Sequence, residues 1–285
     1  MNALPEREHL LSLLEPFLQG SAEESSVRAE GIRLLAKKFR LSEREAMLAL
    51  LRQDIWPLRF IRSKGGFRAE DIALLMDLRI LIAGCGGLGG QVAELLARTG
   101  AGRLTLCDPD VFEESNLNRQ CFCTEKTLGR PKAEVCREGL LDIAPYMDIE
   151  ACVTALDERN LPGFLQRADV VIDCLDSVAG KKMLEKAALE ADVPCVHGAV
   201  SRSEGFALFD ENVPLPCALL YPDEGDFSRS HPPMNAHALT VTGTSCLMVA
   251  LLLRRLCGKK HGNGQLFHLD LSIPELERLA FKSRP

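Results

Sequence analysis

In three stretches near the start of the chain, 9–18, 29–39 and 42–53, apolar residues recur three and four positions apart, the spacing of one buried helix face. Ser42 followed by Glu45 is a capping-box signature that opens the third stretch. Together they predict a bundle of three or four helices over residues 1 to about 76, helix-turn-helix-like in outline. Trp56-Pro57 closes this region, and Ser63-Lys64-Gly65-Gly66 reads as a loop. Compact helical appendages more often pack against a neighbour than read DNA, so no DNA partner is expected.

From Leu78 the period changes. Short apolar runs at 78–84, 103–108, 147–153, 169–175 and 194–200 have the length and composition of buried parallel strands. Between them lie amphipathic helices at 88–100, ended by Gly100, at 129–145, with Pro145 at its end, and at 178–191. After Val200, residues 203–210 and the approach to 216–221 read as neighbouring antiparallel strands. Pro214, Pro216, Pro222, Pro232 and Pro233 make 213–234 an irregular crossing segment; a helix over 236–257 and a last strand at 264–272 follow. The alternation predicts an α/β fold: a Rossmann-like, doubly wound, mostly parallel sheet with antiparallel C-terminal strands, plus a small N-terminal helical region. The division expected is 1–58 and 59–285.

Composition narrows the partners. The 285 residues carry a formal net charge of -6, which gives no bulk attraction to nucleic acid or anionic membrane. No apolar run approaches the ~20 residues of a membrane span, and 246–253 reads as a buried helix. The first ten residues are charged, unlike a signal peptide. Eleven cysteines scattered through strands and helices suit a reducing compartment, so the expected location is cytoplasmic.

The chemistry gathers around Gly84-Cys85-Gly86-Gly87-Leu88-Gly89, which fits G-x-G-x-x-G directly after a strand and before a helix. Glycine keeps Cβ atoms out of the way of a phosphate, and the following helix offers unpaired N–H groups and the positive end of its dipole. Asp108, ending the second strand, stands where such folds accept ribose hydroxyls. NAD and ATP are served equally to this point. Arg119 and Lys132 change the balance, because a nicotinamide cofactor has little use for several cations. A triphosphate under attack by a carboxylate needs fixed cations to offset repulsion at the α-phosphate, and Arg119 can fork onto phosphate oxygens. Asp176, after the strand 169–175, is a natural Mg²⁺ ligand at a strand's carboxyl end.

These residues carry a family resemblance. Gly84 to Gly89, Asp108-x-Asp110, Ser115-Asn116-Leu117-x-Arg119-Gln120, Gly129-x-x-Lys132 and Asp173-Cys174-x-Asp176 resemble the ThiF/MoeB/HesA family, relatives of ubiquitin-activating enzymes, over roughly residues 59 to 281. The resemblance implies an adenylyltransferase that uses Mg-ATP to activate the C-terminal glycine of a ubiquitin-like sulfur-carrier protein ending in Gly-Gly, usually as a homodimer. It gives nucleotide-binding roles to Gly84, Gly86, Gly87, Gly89, Asp108, Asp110 and Asn116, places Arg119 and Lys132 around the phosphates, and assigns metal binding and catalysis to Asp176. Arg59-Phe60-Ile61-Arg62 resembles an Arg-Tyr-x-Arg element whose second arginine reaches the partner subunit's ATP, which would make Arg62 a trans-acting catalytic residue.

Three departures bear on the activity. Where many members begin a Cys-x-x-Cys zinc pair, this chain has Cys217 but Leu220 at the fourth position, and no such pair occurs in the C-terminal tail, so no zinc is expected. Between Leu219 and Ser245 there is no cysteine to take the activated acyl group, so the reaction is expected to stop at the acyl-adenylate; His231 and His237 are possible acid–base groups there. Ser177 follows Asp176 where the family more often has Asn, and Lys181 replaces a nearby Arg. The third departure, Ser177 after Asp176, leaves a small-molecule or tRNA-linked carboxylate as an alternative substrate. An NAD-dependent oxidoreductase and a non-enzymatic adaptor are weaker readings: no evident hydride-transfer constellation accompanies the loop, and Arg119, Lys132 and Asp176 are retained.

Overall fold

A computed structural model describes residues 5–20, 26–210, 217, 220–221, 236–258 and 265–280. The N-terminal region contains α1 (Arg7–Leu14), β1 (Leu18–Gln19), β2 (Ser26–Val27), α2 (Ala29–Phe39), α3 (Glu43–Leu51) and β3 (Trp56–Pro57). The capping box at the start of α3 forms: Ser42 Oγ accepts the Glu45 N–H at 3.2 Å, and the Glu45 carboxylate accepts the Ser42 N–H at 2.8 Å. A 3₁₀ turn (Leu58–Ser63) and α4 (Ala69–Asp77) complete the region. The small sheet β1-β2-β3 was not expected. Strands of two residues are too short to show a period, and Trp56-Pro57, read as a terminator, pairs in parallel with β2.

The large sheet is built from β4 (Arg79–Ala83), β5 (Arg103–Cys107), β6 (Asp148–Cys152), β7 (Val170–Asp173), β8 (Cys195–Ser201), β9 (Glu204–Asp210), β10 (Gln265–Asp270) and β11 (Glu275–Ala280). Its order is β11-β10-β9-β8-β7-β4-β5-β6, parallel from β8 to β6 and antiparallel from β8 to β11. The helices α5 (Gly87–Thr99), α6 (Lys132–Ile143), the short α7 (Leu161–Leu165) and α8 (Val178–Glu190) connect the parallel strands, and α9 (Ala238–Leu256) lies between β9 and β10 in the chain. The mixed sheet matches the sequence reading except at two places. Cys217 and Leu220 are helical, so the second of the expected antiparallel neighbours is not a strand at those residues, and the approach to it lies outside the described residues. Strand β11 was not expected: Leu276, Leu279 and Ala280 follow one another at helical spacing, and the open edge of β10 makes the segment a strand.

Strand alternation divides the interior. Ile80 and Ile82 of β4 join the core that contains Val92 and Leu96 of α5, whereas Leu81 and Ala83 join a second core with Leu161 and Leu165 of α7 and Leu184 and Ala188 of α8. Successive side chains of a strand point to opposite faces, so one apolar run feeds both layers. The first core runs without a break into the helical region, through Leu10, Leu35, Leu51, Trp56 and Ile72.

α9 corrects the sequence reading on one point. With 19 residues it is long and apolar enough to cross a membrane by length and composition. The two arginines near its end and scattered threonines hid this in the sequence. In the fold it packs on α5, β8 and β9 and buries Val241, Met248, Val249 and Leu252.

Candidate functional site

A cleft of about 790 Å³ opens at the carboxyl ends of β4, β5 and β7, where open α/β sheets keep their ligands. Gly84 follows β4 with φ +93°, and a Cβ there would come within 2.8 Å of the Cys174 carbonyl oxygen. At Gly89 a Cβ would meet the Gly84 carbonyl oxygen at 1.8 Å, so the loop closes on itself only because that position is bare. Gly86 is the N-cap of α5 and Gly87 its first residue; both line the cleft.

Asp108 follows β5 and is 5% exposed. Its Oδ2 accepts the Cys85 N–H at 2.6 Å and its Oδ1 the Asp110 N–H at 2.8 Å, so one carboxylate ties the glycine loop to the start of the next segment. Burial pushes the carboxyl above its ordinary range, and the two N–H donors offset only part of that. Across the opening, Lys132 begins α6; its backbone N–H donates to the Asp110 carbonyl at 2.9 Å and its Nζ to Asp110 Oδ2 at 3.0 Å. Asn116 is buried, accepting the Glu113 N–H on Oδ1 at 3.2 Å. The Arg119 guanidinium is half-buried and donates to the Ser115 carbonyl and to Asn118 Oδ1, both at 2.9 Å. Asp176 is exposed, lines the opposite wall beyond β7, and has no hydrogen-bond partner among the described residues. Ser177 beside it caps α8 by accepting the Gly180 N–H at 3.1 Å.

Gly84, Gly86, Gly87, Asp108, Asp110, Asn116, Arg119, Lys132 and Asp176 therefore line one cleft, with Gly89 behind them shaping the loop. The cradle without Cβ atoms, the α5 N-terminus and two cations fit a polyphosphate, and the unpartnered Asp176 carboxylate fits a hard divalent ion. Arg62 is placed apart, exposed on the 3₁₀ turn and outside the cleft of its own chain. Arg59 is committed locally: it donates to the Ile143 carbonyl at 2.8 Å and stacks 4.7 Å from the Tyr146 ring centroid. The cleft also includes Gln120, Thr154, Ala155, Leu156, Val200, Ala236 and Val241, which sequence reasoning did not assign. For 154–156 the available signal was position, immediately after β6; Val241 reaches the site only through the packing of α9 on Gly87.

Behind Asp176 lies a buried polar network. Asp173, ending β7, accepts from His197 Nδ1 at 2.7 Å and faces Lys181 Nζ at 3.3 Å. Cys217 Sγ is 3.5 Å from the same His197 nitrogen, and the Cys217 N–H donates to Glu185 at 2.8 Å. Asp173, His197 and Cys217 offer donor atoms within 4.8 Å of one another, a set that could hold a metal. The Lys181 ammonium already balances the carboxylate, and burial pushes the Cys217 thiol up, away from the thiolate a metal needs. His237 is the N-cap of α9, set toward the Thr240 N–H at 3.4 Å, and His231 lies outside the described residues. Cys121 is exposed and Cys123 buried, and both are free thiols.

Residues 61–284 match the ThiF family. The molybdopterin-synthase adenylyltransferase of Escherichia coli is 40% identical over 140 residues, 49% of this chain and 56% of that protein. The sulfur carrier protein ThiS adenylyltransferase of the same organism is 35% identical over 142 residues, 48% and 57% of the two chains. The chain thus spans little more than half the length of these relatives. Among solved structures, Escherichia coli MccB with ATP superposes with a TM-score of 0.64 at 18% identity, covering 80% of this chain and 72% of the other, which shows the shared fold.

Proposed function

Given that the chain belongs to the ThiF family, we propose that it is an adenylyltransferase that activates the C-terminal glycine carboxylate of a ubiquitin-like sulfur carrier as an acyl-adenylate. The observation that carries this reading is the meeting of the glycine loop, Asp108, Arg119, Lys132 and Asp176 in one cleft. Two relatives named as adenylyltransferases, one of them for a sulfur carrier, support the substrate class.

ATP is the co-substrate. Asp108 accepts the ribose hydroxyls, held in orientation by the Cys85 and Asp110 N–H groups. The glycine loop and the first turn of α5 receive the phosphates. Asn116, Arg119 and Lys132 lower the repulsion that an incoming carboxylate meets at the α-phosphate. A carboxylate oxygen bonds to the α-phosphorus, the α–β bridging bond breaks, and its electron pair leaves with pyrophosphate. Asp176 holds Mg²⁺, which supplies further charge neutralisation. Arg62, exposed and outside its own cleft, serves the partner's site in a homodimer. The reading includes no zinc, since Cys217 is engaged with His197 and Glu185 and Leu220 stands where a second thiol would.

The test is exchange of labelled pyrophosphate into ATP. Exchange that requires both Mg²⁺ and a carrier ending in Gly-Gly supports the proposal; its absence with every carrier encoded nearby overturns it. A second reading rests on Ser177 after Asp176: exchange driven by a low-molecular-weight acid or by tRNA, without a carrier, would establish it. A thermal shift with NAD and none with Mg-ATP would overturn both.

A further inference from the structure

The loop that presents Asp176 stands on a buried ion pair that the chemistry above does not use. Asp173 and Lys181 are each 1% exposed. Asp173 Oδ1 accepts the Leu175 N–H at 3.0 Å, one residue before Asp176. Lys181 Nζ lies 3.3 and 3.4 Å from the two Asp173 oxygens and donates to the Gly198 carbonyl on β8 at 2.7 Å. The Lys181 backbone N–H donates to the Ser177 carbonyl at 3.0 Å, so this residue is tied to the far end of the same loop. His197, on β8, completes the ring through Asp173 Oδ2.

We propose that Lys181, bridging Asp173 and the Gly198 carbonyl, is a positioning residue that fixes the loop 174–177 and thereby aims Asp176 into the cleft. The inference rests on the reading of Asp176 as the working carboxylate of an adenylating site. Packing alone does not require this network, because apolar residues of similar volume fill such a space at equal or lower free energy. What distinguishes it is connectivity. One ammonium joins the end of β7 and the middle of β8 to the first turn of α8, and the loop 174–177 runs from β7 to α8. The same loop sets the Cys174 carbonyl against Gly84, where the glycine loop begins. Arg119, Lys132 and Asp108 stand on separate elements and share no partner with the network.

The test compares Lys181→Arg, Lys181→Met and the charge-balanced double variant Asp173→Asn/Lys181→Met in the full chain. The double variant leaves no unpaired buried carboxylate, so it keeps the fold where Lys181→Met alone does not. Far-UV circular dichroism and the thermal midpoint monitor the fold, amide hydrogen exchange monitors 174–177, and pyrophosphate exchange monitors turnover. The expected result is a folded double variant with faster exchange confined to 174–177. Its kcat falls by about 100-fold with little change in the KM for ATP, the size of loss a 1 Å misplacement brings. Lys181→Arg restores both protection and kcat. A folded double variant with wild-type protection and kcat overturns the inference, as does a uniform rise in exchange along the chain with kcat and KM changing together. If the wild-type chain gives no pyrophosphate exchange with any acid, the adenylation reading fails, and the amide protection still decides whether Lys181 fixes the loop.

Discussion

Asp108 and Cys85 meet across the floor of the cleft, the carboxylate Oδ2 accepting the backbone N–H at 2.6 Å. The contact fixes the glycine loop on the strand beside it, and burial holds the carboxyl above its ordinary range. ATP affinity should therefore weaken on acidification at a higher pH than an ordinary aspartate near 3.9 would impose. Stability of the free protein runs the other way. Between the ordinary and the raised pKa the native state carries the extra proton, so this group favours folding as pH falls through that window. Asp108→Asn should remove the acid limb in a titration of ATP affinity against pH; a limb that persists in the variant assigns it elsewhere.

Lys132 is held at the opening by Asp110, 3.0 Å from Nζ, with its own carboxylate partner largely exposed. Lys132→Ala should slow pyrophosphate exchange by about 10²- to 10³-fold, the loss of one preorganised charge on the transition state. Asp110→Ala should cost less, because it removes only the tether. Equal losses in the two variants would show that the pair works as one unit.

Gly89 and Gly163 make opposite demands. A Cβ at Gly89 would sit 1.8 Å from the Gly84 carbonyl oxygen, whereas at Gly163 nothing lies within 4 Å. Gly89→Ala should cost about 3 kcal/mol and weaken nucleotide binding. Gly163→Ala, inside α7, should be neutral or add up to ~1 kcal/mol through helix propensity. Thermal melting of the two variants, with and without Mg-ATP, checks both signs.

Arg62 is exposed and lies outside its own cleft, whereas Asp176 lines it. If Arg62 serves a partner, Arg62→Ala and Asp176→Ala should each be nearly inactive with unchanged thermal midpoints. Mixing and re-equilibrating them should then restore part of the activity, because a mixed dimer has one site with both residues intact. Mixtures as inactive as their components would remove Arg62 from the chemistry.

His197 is buried, and its pKa is lowered by burial first and by the Lys181 charge second, against the pull of Asp173. The unfolded chain takes up a proton near pH 6.5 that the native state refuses, so stability from this group is lost as pH falls below that value. The slope is at most about 1.4 kcal/mol per pH unit. Urea midpoints at about pH 5 and about pH 7.5 should differ more in the wild type than in His197→Gln. Equal differences would refute the assignment.

Much of the site could be read because its elements are local. The glycine loop sits between a strand and a helix that each announce themselves by period, and Asp108 and Asp176 follow β5 and β7, whose apolar runs mark their own limits. Residues 154–156 and Val241 were missed because nothing local distinguishes them; they enter the cleft by where β6 ends and by how α9 lies on Gly87. Strand β11 and the two-residue strands were missed for a related reason, since an edge is supplied by a neighbour and not by the segment itself.

The sequence alone determined the α/β alternation, the glycine loop and the charges around it, because period, backbone freedom and ionisation belong to individual residues and their near neighbours. Tertiary structure decided which of those charges meet. It separated Arg59, spent on Tyr146 and Ile143, from Arg62, and it turned Lys181 from a substituted arginine into the buried partner of Asp173. Such pairings join residues on different strands and helices, and only the packing of the sheet fixes the distances on which ion pairs and hydrogen bonds depend.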